Sequence, residues 1–314
     1  MRRIFIPALT LVFLVLVFLL GFSKAPAKAE DKNAKEGYVG AEICQTCHAQ
    51  VYENLAKTAM GVLFLKHPQN ADQRLGCETC HGPGAAHVAS GGKSHVGQIR
   101  FTQGTTTPAS VQDEVCLKCH EKRERLFWSG SPHDSHGITC VKCHSVHTGP
   151  GALVKNQLAR LTVEDTCATC HKEQVSAEMK FSHHPLREGK MDCASCHNPH
   201  GTTSDHLIRG LTNKELCFSC HAQYRGPFLF QHPPVMEDCF NCHQPHGSAY
   251  PSLLKAPPIR LCRECHVTFH ELSLQPLVGG KRQAPRPNQA LSGCLNCHRQ
   301  IHGSNSINGN LFFH

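Results

Sequence analysis

A sustained apolar run occurs once in the chain, from Ile4 to Phe22. Arg2 and Arg3 precede it, and Ala27-Lys28-Ala29 supplies small residues for a cleavage site before Glu30. That order of basic, apolar and small segments reads as an export signal. The alternative is a retained anchor, since a run of this length can span a bilayer. No second such run follows, so the remainder is not expected to be a helical membrane protein. Beyond Glu30 the apolar positions are scattered among frequent prolines and glycines, and their periodicity is short-range. Brief helices are expected at Val51 to Leu65, Val111 to Arg125 and Glu173 to Lys180, with almost no strand signal. The spacers Gly91 to Pro108 and Val278 to Leu291 read as loops. The organisation expected is a cleaved signal over 1–29, a mobile tether over 30–40 and a single domain over 41–314.

Composition changes this picture by what it lacks. One Trp and four Tyr among 314 residues leave little from which to build an ordinary core. The cysteines supply the alternative, for there are 20 of them and none stands alone. They form pairs of the type Cys-x-x-Cys, each followed at once by histidine: Cys44, Cys47 and His48; Cys77, Cys80 and His81; Cys116, Cys119 and His120; Cys140, Cys143 and His144; Cys167, Cys170 and His171. The second half continues with Cys193, Cys196 and His197; Cys217, Cys220 and His221; Cys239, Cys242 and His243; Cys262, Cys265 and His266; Cys294, Cys297 and His298.

Two cysteines at i and i+3 lie on one face of a helical turn, spaced to form thioethers with the two vinyl groups of a haem, and the adjacent histidine then reaches the iron. Zinc sites and redox disulfides also use Cys-x-x-Cys, but neither gives a reason for the histidine. Histidine occupies 25 of 314 positions, so its recurrence after every pair by chance is on the order of 1 in 10¹¹. Ten covalent c-type haems are therefore expected, and with roughly 28 residues to each haem the porphyrins themselves must form the core.

The histidines outside the motifs decide whether the irons are open to substrate or closed by a second protein ligand. Candidates for that second position are His67, His87, His133, His147, His184, His200, His232, His246, His270 and His302, one for every motif. They cluster about the even-numbered motifs, one upstream and one closely downstream, so the chain parses into five tandem two-haem repeats. His95, His136, His183, His206 and His314 are spare. At the first haem Met60 competes with His67. Because a residue three past the motif histidine cannot swing beneath its own haem, His200 and His246 are expected to cross to a neighbouring one.

The formal charge of the chain is +8, and residues 30 to 314 carry 28 basic against 24 acidic groups. That is no footprint for nucleic acid. The segments Ser182-His183-His184-Pro185-Leu186, Cys193 to Gly201, Cys239 to Gly247 and Cys294 to Asn305 resemble the decahaem MtrA/DmsE/PioA family of outer-membrane electron conduits. The resemblance implies a mostly irregular, elongated haem wire with short α-helices and bis-histidine irons. It further implies a periplasmic location inside an outer-membrane β-barrel porin, a periplasmic or inner-membrane cytochrome donor, and an extracellular multihaem cytochrome or other acceptor. Where the family tends to have histidine this chain has Met60. A chain so poor in apolar surface could cross a membrane only within a barrel supplied by a partner. A free periplasmic shuttle, and a reductase of small oxyanions with one open haem, are the competing expectations.

Overall fold

A computed structural model describes residues 37–102, 104–147, 155–266, 277–278, 281–282, 293–307 and 309–312. The expected signal peptide, most of the tether, His270 and His314 lie outside the described residues. Among the described residues regular structure comes in short pieces, of which Ala109–His120 is the longest helix at 12 residues. It begins directly after Pro108, whose ring fixes the backbone for helix entry. Arg123–Arg125 forms a separate 3-10 turn, because Arg123 takes a left-handed φ of 58°. The helix expected over Val51 to Leu65 is broken in two, into Ala49–Ala56 and a segment from Ala59–Gly61 through the π-helical turn Val62–Lys66. Thr58 makes the break: its hydroxyl donates to the Leu55 carbonyl and accepts from the Gly61 N–H, ending one helix and capping the next. Between Glu173 and Lys180 the helix is Lys172–Ala177.

Strand structure among the described residues is one two-residue antiparallel pair, Leu277–Val278 with Lys281–Arg282, and a few isolated bridges. Buried apolar residues are few: Ala41, Leu55, Trp128, Ala177, Leu207, Ile208 and Ala256. Three of these seven are alanines, so the described residues alone close no conventional core. Polar groups hold the chain in its place. Glu78 accepts from the N–H groups of Val39, Gly40 and Gly84, and Asp113 accepts from the Trp128 indole at 3.1 Å and the Cys140 N–H at 2.8 Å. No helix among the described residues is long and apolar enough to cross a membrane.

The two-motif repeat is visible in the backbone. After each of the fourth, sixth and eighth motifs the chain turns back through two consecutive left-handed residues: Asn156 and Gln157, His206 and Leu207, Ser252 and Leu253. It then bridges to the motif histidine, as His144 with Leu158, His197 with Ile208 and His243 with Leu254. The return is tied down by Ala159 N–H to Cys143 O, Arg209 N–H to Cys196 O and Lys255 N–H to Cys242 O, at 2.7 to 2.9 Å. None of the six left-handed residues is glycine. Such conformations cost about 1–3 kcal/mol each and persist only where the surroundings over-determine them.

Candidate haem sites

Consecutive motifs lie side by side in sequence order, through two alternating kinds of contact. Within each two-motif repeat the first cysteines lie close enough to interact: Cys44 with Cys77, Cys116 with Cys140, Cys167 with Cys193, Cys217 with Cys239, and Cys262 with Cys294. Between repeats it is the second cysteines that lie close enough to interact electrostatically. Cys80 feels Cys116 and Cys119, Cys143 feels Cys170, Cys196 feels Cys220 and Cys242 feels Cys265. The row therefore runs without a gap from the first motif to the tenth. Among the described residues no three His, Cys, Asp or Glu side chains converge as a bare metal ion would require.

The donors face each other in twos. Eight motif histidines stand opposite a histidine from outside the motifs, with ring centres 6.0 to 6.4 Å apart: His48 with His87, His81 with His147, His171 with His133, His144 with His200, His221 with His184, His197 with His246, His266 with His232, and His243 with His302. An imidazole nitrogen lies about 1.1 Å from its ring centre and ~2.0–2.1 Å from a first-row metal ion, so two rings trans on one ion place their centres roughly 6.3 Å apart. The observed spacing thus fits one iron between each pair. His87 faces His48, a position for which the sequence offered Met60 and His67; and His200 and His246 both reach across to the motif two places earlier.

The rings are oriented for this. His144, His197 and His243 each donate from Nδ1 to the carbonyl of the first left-handed residue of the return, Asn156, His206 and Ser252, at 2.7 to 2.8 Å. His81 and His298 make the corresponding bond to the carbonyls of Ile99 and Leu311. Among the histidines outside the motifs, His133 and His184 donate to the carbonyls of Pro199 and Pro245, and His87 to that of Ser94. Engaging Nδ1 fixes the tautomer and leaves the Nε2 lone pair for a metal. Burial pushes the pKa of His81, His147, His246 and His302 down, and that of His200 down to about 4. These rings are neutral donors at neutral pH.

The crossing histidines are placed by an interlock. The backbone at Gly201 sits so close to the Phe127 carbonyl that an added Cβ would stand 2.0 Å from its oxygen, and Gly247 meets the Ala177 carbonyl in the same way. Both glycines are left-handed, with φ of 109° and 130°. Each His-Gly loop after an even motif is thereby pressed against the segment that leads to an upstream histidine one repeat earlier. Asn198 adds hydrogen bonds to the carbonyls of Glu124 and Gly201, and Ser248 pairs its backbone with Ser182.

Sequence reasoning missed the return turns and the carbonyls that orient the rings. A usable signal exists in the recurrence of Asn-Gln-Leu, His-Leu-Ile and Ser-Leu-Leu at similar distances after successive even motifs, but without glycine it does not announce a left-handed turn. It also missed Glu178, a buried carboxyl beside the sixth motif.

Comparison with known proteins places the chain among multihaem cytochromes. Residues 183–226 and 232–271 match the family described as Doubled CXXCH motif, residues 77–161 the family Cytochrome c-type protein NrfB-like, and residues 22–82 the family Cytochrome c554 and c-prime. The chain is 37% identical over 289 residues to the multiheme cytochrome MtrA of Shewanella baltica, covering 90% of this chain and 84% of that one. It is 27% identical to the C-type polyheme cytochrome OmcB of Geobacter sulfurreducens, over 59% of this chain and 26% of that protein. The cytochrome c-type protein NrfB of Haemophilus influenzae is 25% identical over 35% of this chain.

Proposed function

The chain belongs to the MtrA family of multihaem c-type cytochromes, electron-transfer proteins with covalently held haem, and from that premise we propose that it holds ten haems in one row and conducts electrons along them across the outer membrane. The observation that carries the proposal is the facing of eight histidine pairs at a spacing that fits one iron each. Each haem supplies a one-electron iron couple. The residues do the rest: Cys-x-x-Cys anchors each porphyrin, Nδ1 bonds fix the imidazoles, and the alternating cysteine contacts set the order. Two imidazoles per iron leave no site for substrate, so the protein carries electrons and is not a reductase.

The pairs follow a rule. An even motif histidine takes the downstream histidine of the next even motif and an odd one takes the upstream histidine of the even motif before it, except that His48, with no even motif before it, faces His87, the downstream histidine of the second motif. Extended to the two remaining motifs, the rule assigns His67 to the iron at His120. His270 is left for His298 at the end of the row. Met60 ligates nothing. Accordingly His67→Ala is expected to open the third haem and His87→Ala the first, while Met60→Ala leaves the low-spin spectrum unchanged. Resonance Raman or electron paramagnetic resonance of the three variants checks this, and conversion of a low-spin haem in Met60→Ala would contradict it.

Conduction across the membrane requires a β-barrel partner, since no helix among the described residues is long and apolar enough to cross it. The donor is a periplasmic or inner-membrane cytochrome and the acceptor an extracellular cytochrome or other oxidant. The chain is then periplasmic and bound to the outer membrane through the barrel. This reading rests on the family and on the unbroken row of motifs. A free periplasmic shuttle would share the ligation but would reduce no acceptor enclosed behind a bilayer.

A further inference from the structure

Of the histidines that cross to an earlier even motif, His302 is held differently from His200 and His246. The last two stand three residues past their motif histidines, each directly after a proline, Pro199 or Pro245. His302 stands four past, after Arg299-Gln300-Ile301. With the longer loop two backbone anchors change. Pro199 and Pro245 accept from the Nδ1 of His133 and His184, whereas His232, the corresponding histidine of the fourth repeat, has a buried Nδ1 with no hydrogen-bond partner among the described residues. Gly201 and Gly247 press on backbone carbonyls, but the three atoms nearest an added Cβ at Gly303 all belong to the Phe228 side chain. The backbone pairing of Ser304 with Phe230 and the Asn305 contact to the Leu229 N–H hold the chain beyond His302, not its ring.

An aromatic ring takes up that task. Tyr224 closes the 3-10 turn Ala222–Tyr224 that follows the seventh motif, with its N–H on the His221 carbonyl at 3.1 Å. In a 3-10 turn side chains at i and i+3 eclipse, so the phenol ring is carried over the side of His221, with ring centres 6.4 Å apart and planes at 26°. On its other side it meets His302, with ring centres only 4.3 Å apart. His221 faces His184 at the seventh iron position and His302 faces His243 at the eighth. Tyr224 thus stands between a ligand of one haem and a ligand of the next. The same place, three past the odd-motif histidine, holds Arg123 in the second repeat and Gln174 in the third, so an aromatic ring there is no requirement of the repeat itself.

We propose that Tyr224 is the positioning residue that keeps His302 on the eighth haem iron, replacing with a ring contact the backbone anchors that the longer loop lacks. The proposal rests on the bis-histidine reading above. A ring packed against the imidazole limits its tilt and rotation and so keeps Nε2 directed at the iron. The flat face of Tyr224 does this; its hydroxyl takes no part. Tyr224 is 40% exposed, and the third repeat carries glutamine at its place, so Tyr224→Gln removes the contact without emptying a core.

The test measures carbon monoxide binding to the reduced holoprotein, where the gas must displace a protein ligand, in the wild type, Tyr224→Gln, Tyr224→Phe, His302→Ala and the double variant Tyr224→Gln with His302→Ala. In Tyr224→Gln one haem is expected to take up carbon monoxide about tenfold more readily than in the wild type, the order of effect of one lost aromatic contact. Tyr224→Phe restores the wild-type response. In the His302→Ala background Tyr224→Gln adds nothing, because the residue it positions is gone. The proposal is overturned if Tyr224→Gln binds as the wild type does, if Tyr224→Phe behaves like Tyr224→Gln, or if the effect persists at full size without His302. Should Tyr224→Gln fail to mature, Tyr224→Leu takes its place with the same expected results. Failure of the ligation reading would show differently, as a His302→Ala protein in which no haem opens.

Discussion

Replacing Gly247 with alanine is expected to unseat one haem ligand and to destabilise the holoprotein by about 3 kcal/mol or more. The new Cβ would stand 2.0 Å from the Ala177 carbonyl oxygen and 2.7 Å from its carbon, both backbone atoms that cannot rotate aside. The φ of 130° adds strain for any side chain. The loop must lift away, and it carries His246 with it. His246 faces His197, so a single haem turns high-spin while the others keep their spectra. Gly189→Ala is the control: its φ of 65° is also left-handed, but nothing lies within 4 Å of the added carbon, and the expected cost is about 1 kcal/mol. Chemical denaturation and electron paramagnetic resonance read both effects. Equal stability losses in the two variants would contradict the interlock.

Removing the sixth haem is expected to have the largest effect on function. Cys193→Ala with Cys196→Ala abolishes its attachment at a point where Cys193 adjoins Cys167 on one side and Cys196 adjoins Cys220 on the other. In the row of cysteine contacts the sixth motif is the link between the fifth and the seventh. Reconstituted in vesicles with the proposed barrel partner, the wild-type chain should reduce an enclosed acceptor from an external donor. The double variant, carrying one haem fewer, should accept electrons at the donor end and pass none across. Transfer at the wild-type rate by the variant would show that the electrons take another route.

Attachment chemistry was fully legible from the residues, because Cys-x-x-Cys-His states its own geometry within five positions. Eight of the ten histidines that recur around even motifs stand opposite a motif histidine, and that recurrence marks them out in the sequence from His95 or His206. Their partners were not legible there. Pairing is set by packing between repeats, where Gly201 against Phe127 and Gly247 against Ala177 bring together residues more than sixty positions apart, and no local periodicity records that. Met60 and His67 follow the first motif, whereas the histidine facing His48 follows the second motif. The break at Thr58 was hidden for a related reason: apolar spacing continues through it, and only the hydroxyl's two hydrogen bonds end the helix. Shortness of elements was predictable from proline and glycine content, but the paired left-handed turns at Asn156, His206 and Ser252 were not, as their strain is offset by the histidine Nδ1 bonds they provide.

The central claim is a closed row: every motif carries a haem and every iron two imidazoles. Its most direct test is the haem-iron stoichiometry of the purified protein together with its resting electron paramagnetic resonance spectrum. The expected result is ten irons per chain, all low-spin, and no binding of carbon monoxide by the reduced protein without loss of a ligand. Fewer than ten irons, or a high-spin signal in the untouched protein, would contradict it.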